Sequence, residues 1–257
     1  MIQTRTALLA IVFIVSFGAT CNSDDVNQPD AASDAPPERL VKLSKDHDIW
    51  VDPKRKLVVV DGTVALRDGA LEMFACPKGS KEHESIVAVN STAQLVHAGL
   101  LAVGAIAGHP VQFDPKYVPA SGTTIEILVL WQDDTGKHKV RAQEWVKDAK
   151  TGEVMKQAWV FGGSGFWTDE TTGEKYYHAD GGDLICLSNF SSATLDLPVE
   201  SSQANDALLF SAFTERIPPR GTKVRLVLIP QLKAATKSDA PADASSKSPS
   251  SVKLLEN

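Results

Sequence analysis

The sequence predicts an α+β protein of mainly antiparallel β structure, a single β-rich domain with one long buried helix at about 91–107 and a second short helix at about 202–213. Three observations carry this. Short blocks of valine, isoleucine and leucine recur between turn signals across residues 40–232, which is the spacing of a β-rich domain. Asp-Gly and Thr-Gly pairs punctuate the blocks, and glycine accepts the positive φ that tight hairpin turns demand. One stretch, STAQLVHAGLLAVGAIA at 91–107, interrupts the pattern with an apolar run of helical length.

Taken in order, residues 56–60, 63–66 and 71–75 read as three strands joined at Asp61-Gly62 and at Arg67-Asp68-Gly69. A polar loop follows, and then a strand at 86–89. The helix at 91–107 opens on a capping Ser or Asn and closes at Gly108, His109 and Pro110. It is apolar almost all round, so it should lie buried against the sheet rather than along the surface. From 124 to 178 the reading is four antiparallel strands, 125–131, 137–146, 154–161 and 175–178, separated by Thr135-Gly136, Thr151-Gly152 and Thr172-Gly173. A weak repeat sets VPASGTTIEILVL at 118–130 against IPPRGTKVRLVLI at 217–229. Two readings of it stay open: a shared way of entering a buried strand, proline fixing φ and glycine making the turn, or a duplication of helix plus strand.

The ends read differently from the core. Residues 1–20 carry one charge, Arg5, ahead of an apolar run at 7–17 that is too short to span a hydrocarbon layer of about 30 Å as a helix and suits an export signal. Cys21 comes next, and residues 21–39 form a polar, proline-bearing, flexible tether. That is the layout of a bacterial lipoprotein acylated on its cysteine, although Gly18 and Thr20 depart from the usual residues before the anchor. The expected localisation is the periplasm or cell envelope, with the membrane reached through lipid on Cys21. Residues 233–257, rich in Ala, Ser, Lys, Asp and Pro, have too little to bury to offset their ordering entropy and read as a disordered tail. The globular domain is therefore 40–232.

Composition narrows the functional classes. The 257 residues carry 26 basic and 32 acidic side chains, and a net charge of −6 gives no bulk attraction to nucleic acid phosphates. No Cys-x-x-Cys pair is present, His83-Glu84 lacks the second histidine a zincin would need at 87, and no cofactor is expected. Ser164, among Gly162, Gly163 and Gly165, misses the hydrolase pattern because Phe166 takes the place of the last glycine.

The densest polar cluster is FACPKGSKEHES at 74–85. There Cys76 activated by His83 would make a thiol nucleophile, with Cys186 as resolving partner; the competing reading is a polar loop over a buried cysteine. If Cys21 is acylated, Cys76 and Cys186 remain as a pair that either bonds or stays buried. Aromatics gather at Trp159, Phe166, Trp167, Tyr176 and Tyr177, with Asp180 and Asp183 behind them, as in a ligand cleft or in packed hairpins.

GSKEHES at 79–85, the apolar helix ending at Gly108, GGDLICLSNFSSATLDLPVESSQANDALLF at 181–210 and the following IPPRGTKV together resemble the YdjY-like domain family of exported bacterial proteins. The resemblance spans about 40–231. It implies a domain and a compartment, and supplies no catalytic residue. The leading expectation is a binding or interaction module for a small molecule or an envelope protein. Its groove is expected near His83, Glu84 and Ser85, completed by Asp183, Asn189, Glu200 and Ser201, because polar groups beside buried strands need partners. A thiol-dependent enzyme or redox protein using Cys76 and His83 with Cys186 is the alternative.

Overall fold

The structure is a computed structural model that describes residues 40–201 and 208–232. The expected export signal, the tether with Cys21, the tail and residues 202–207 of the expected second helix lie outside the described residues. In chain order the elements are β1 (Val41–Lys42), β2 (Ile49–Asp52), β3 (Leu57–Val64), β4 (Met73–Pro77), β5 (Ser85–Val89), α1 (Ala93–Ala102), β6 (Thr124–Asp133), β7 (Gly136–Arg141) and β8 (Val146–Asp148). There follow β9 (Trp159–Phe161), β10 (Phe166–Thr168), β11 (Lys175–Tyr177), β12 (Ile185–Cys186), β13 (Leu195–Asp196), β14 (Phe210–Ala212) and β15 (Lys223–Pro230).

Eight strands close into a barrel in the order β3, β15, β6, β9, β13, β12, β4, β5, with β5 returning to pair with β3. Closure removes the free edges that an open sheet leaves exposed. The long strands β6, as far as Val129, and β15 alternate, burying Ile125, Ile127 and Val129 on one and Val224, Leu226 and Leu228 on the other. That period of two sends every second side chain into the interior. There Phe74, Trp145, Trp159 and Phe161 fill the centre of a single core. These two strands are the two copies of the repeated stretch, and they lie side by side, Leu226 opposite Val129.

The sheet is mixed rather than antiparallel throughout: β4 with β5 and β12 with β13 run parallel. Every residue of β4 and β5 is buried, as in strands covered on both faces. The inner face meets the core, and outside a second cluster of Met73, Cys186 and Ala193 forms, with Phe190 packed against it.

Four expectations are corrected. Asp61-Gly62 is no turn, because β3 runs unbroken through it. Gly62 pairs with Val224 on one side and Val89 on the other, and a Cβ there would stand 2.5 Å from the Ala88 carbonyl oxygen. Glycine is what lets β5 come close enough to close the barrel.

The long helix ends at Ala102, not 107. Gly104, at φ 95°, allows Ala105 N–H to reach Leu100 O and Gly104 N–H to reach Leu101 O. That is the left-handed helix stop known as a Schellman motif. The helix buries one face only: Ala93, Val96 and Leu100 pack inward, Leu101 is exposed, and Ile106 beyond the stop is 74% exposed. The part of the expected second helix that is described is strand β14, paired with β8. Of the strand expected at 154–161, only Trp159–Phe161 is regular, because Thr151-Gly152 belongs to a wide turn after β8.

Candidate functional site

The loop 78–84 connects two parallel neighbours, so it must carry the chain back along β4 before β5 begins. It lies as a strap over the covered pair. A 3-10 turn, Glu82–Glu84, ends it, and the Glu82 carboxylate accepts the Gly79 N–H at 2.8 Å. Lys81 projects from the strap toward the segment that precedes β12. Its Nζ is 3.0 Å from Asp183 Oδ1 and 3.8 Å from Glu84 Oε1, and it sits 4.5 Å above the centre of the Phe190 ring. Its stem crosses Gly182 so closely that a Cβ there would lie 2.5 Å from Lys81 Cγ. The two sequence motifs, GSKEHES and GGDLICLSNF, thus meet at one ion pair.

One ammonium faces three carboxylates there. Burial pulls Lys81 down, but Asp183, Glu84 and Glu72 together hold it above the ordinary lysine value. Burial and the neighbouring Glu84 push the Glu72 carboxyl up. Asp183 is 8% exposed, and its second oxygen accepts the Ser192 hydroxyl.

The expected ligand residues fall into separate roles. Glu84 and Asp183 belong to this cluster. His83 turns outward, its side chain 77% exposed, 3.8 Å from Glu84. Ser85 is fully buried. Asn189 and Ser201 brace the segment that covers β4: Asn189 donates to Asp196 Oδ1 and Leu197 O and accepts the Ser201 N–H at 2.8 Å, while Ser201 Oγ donates to Leu187 O. Glu200 is exposed. Asp196, fully buried, accepts from Asn189, Leu197 N–H and Phe190 N–H, and burial pushes its carboxyl up to about 7. Lys81, Glu72, Ser192 and Phe190 were not among the expected residues. Glu72 carried a signal, an acid between Leu71 and Met73 in an apolar run.

The thiol arrangement does not form. Cys76 and Cys186 are free, unbridged and buried. Burial pushes the Cys76 thiol up, more than the Ser85 and Ser80 hydroxyls and the Lys81 N–H pull it down. A fully buried thiol under the strap and a solvent-facing His83 ring do not make a nucleophile and base. Cys186 is pushed well up by burial in the outer cluster.

The aromatic group divides too. Trp159 is core and donates to Cys186 O at 2.7 Å; Tyr177 is buried; Phe166, Trp167 and Tyr176 stand exposed on the β10–β11 hairpin. Ser164, in the left-handed region at φ 51°, is held by its N–H to Ala193 O and its Oγ to Ser192 O.

A concavity lies at the far end of the strap. An open groove of about 480 Å³ sits off the carboxyl ends of parallel β4 and β5, where α1 begins. Asp46, His47, Lys78, Asn90, Thr92 and Asp180 line it over a floor of Pro77 and Val89. None of the expected ligand residues lines it. Lys78 begins the strap and Asp180 lies three residues before Asp183, so the Lys81–Asp183 pair ties together the segments that form two of its walls. Asp180 also accepts the Gln94 N–H at the start of α1, and Asp48 is bonded to Asn90 Nδ2. Among the described residues no group of three or more His, Cys, Asp or Glu is placed to hold a metal ion. Among them, too, no helix is long and apolar enough to cross a membrane.

Residues 49–229 match the family described as YdjY domain. No match was found among curated proteins or among solved structures.

Proposed function

The chain belongs to the YdjY domain family, and from that premise we propose that it is an exported, lipid-anchored module of the cell envelope that binds a small polar ligand carrying a cationic amine. The groove carries this reading. Its volume of about 480 Å³ suits a small molecule, and its lining combines side-chain donors and acceptors over an apolar floor. Asp46, Asp48 and Asp180 outnumber Lys78, which favours a positively charged guest. The walls are pinned by side chains outside the groove, so the site is organised before a ligand arrives.

Spermidine and a Lys-Lys dipeptide, titrated into the purified protein by calorimetry beside uncharged analogues, test the ligand class. Binding of the cationic probes, weakened in an Asp46→Asn/Asp180→Asn double variant, is the expected result. Equal binding to the double variant, or no binding of either probe, overturns it. The anchor rests on the apolar run at 7–17, Cys21 directly after it and the polar tether. A Cys21→Ser variant should move to the aqueous phase of a detergent extraction, and unchanged membrane recovery would end that part of the reading.

A further inference from the structure

We propose that Lys81 and Asp183 react with one another to form an intramolecular isopeptide bond, Lys81 Nζ to Asp183 Cγ, that locks the strap onto the segment preceding β12. The components of such a reaction are assembled. Nζ and the carboxylate are already in contact at 3.0 Å. Asp183 is 8% exposed, the Lys81 stem is confined over Gly182, and the Phe190 ring covers one side of the ammonium at 4.5 Å, so the half-buried lysine is held against a buried carboxylate. Holding two reactants against one another makes their encounter intramolecular and removes a large part of the barrier to a condensation of this kind.

The remaining groups supply the proton transfers. One ammonium proton passes from Nζ to Asp183 Oδ1, 3.0 Å away, which turns the ion pair into an amine and a carboxylic acid, and the amine lone pair then attacks Asp183 Cγ. Ser192 Oγ, bonded to Asp183 Oδ2, stabilises the charge that develops on that oxygen. Glu84 Oε1, 3.8 Å from Nζ, carries a second proton from the nitrogen to the Oδ1 hydroxyl, the C–Oδ1 bond breaks, and water leaves. An ammonium and a carboxylate become an amide and one water, with no change in total charge and no outside reagent. A bond here goes beyond the binding reading, since the groove is lined by other residues.

The test is tryptic mapping of the folded full chain after unfolding, read by mass spectrometry. The peptide bearing Lys81 should remain joined to the peptide bearing Asp183, at their summed mass less one water, with no cleavage after Lys81. A Lys81→Arg variant should yield the two peptides separately. Complete cleavage after Lys81 in the wild-type chain, with Asp183 recovered in an unmodified peptide, overturns the proposal. That result would leave the groove reading intact, because the ion pair alone joins the same two segments.

Discussion

Gly62 and Ala88 approach so closely that a Cβ on the glycine would lie 2.5 Å from the alanine carbonyl oxygen, and the obstructing atom is backbone on β5. The barrel closes at this contact. Gly62→Ala should therefore force β3 and β5 apart and cost about 2 kcal/mol or more, the range of overpacking a filled site. Gly181→Ala, where nothing lies within 4 Å, is the matched control and should change little. Urea midpoints compare the two; equal shifts would show that the approach at Gly62 is not what limits closure.

Tyr177 is the hub of a buried polar set joining α1 to the barrel. Its hydroxyl donates to Gly163 O at 3.1 Å, which leaves its oxygen to accept from Thr194 Oγ1 at 3.1 Å and from His97 Nδ1 at 2.8 Å. Burial pushes the phenol up to about 12 and holds the His97 imidazole below its ordinary value. Tyr177→Phe keeps the ring but strands three partners, an expected loss on the order of 2 kcal/mol. Tyr176→Phe, on the exposed hairpin, should stay within about 0.5 kcal/mol of wild type. Chemical denaturation of both variants decides it.

The strands that were legible in the sequence are those whose burial has a period of two. β6 and β15 announce themselves by alternation, and Thr135-Gly136 makes the hairpin it signals, although the strand expected at 137–146 stops at Arg141 and gives way to the 3-10 turn Ala142–Trp145. Asp61-Gly62 misled because the same dipeptide serves a turn or a close strand approach, and only the neighbouring strand decides which. The end of α1 was hidden because apolar residues continue beyond Gly104, whose positive φ stops the helix. In the site, the polar character of the strap was plain, but not its direction. Lys81 and Asp183 are 102 positions apart, and their meeting depends on β4, β5 and β12 being neighbours, with two parallel pairings that no local pattern reports.

Cys76 and Cys186 sit on adjacent strands, both fully buried, and the pKa of each is raised by burial. Thiolate is the reactive form, so both should resist alkylation in the folded protein. After unfolding without reductant, both should react, and mass spectrometry should count two adducts on these residues. Rapid labelling of Cys76 in the native state would contradict its burial beneath the strap, and absence of both adducts after unfolding would restore the disulfide.

Asp196 gives the fold a pH dependence of unusual sign for a carboxylate. Its carboxyl titrates at about 7 in the folded protein, against about 3.9 in an unfolded chain. Between those values the folded state keeps a proton that the unfolded state has released. Stability from this group is therefore complete below about pH 4, falls as pH rises through about 7, and is constant above it. The total is a few kcal/mol at most, because each tenfold difference in proton affinity between the two states is worth about 1.4 kcal/mol. Asn189 Nδ2 and the Leu197 and Phe190 N–H groups, which bond to the carboxylate, limit the loss. Asp196→Asn cannot ionise, so its urea midpoint should change less between pH 5 and pH 8 than that of wild type, which should be the more stable at pH 5. Parallel pH profiles for the two proteins would show that Asp196 does not carry the proton.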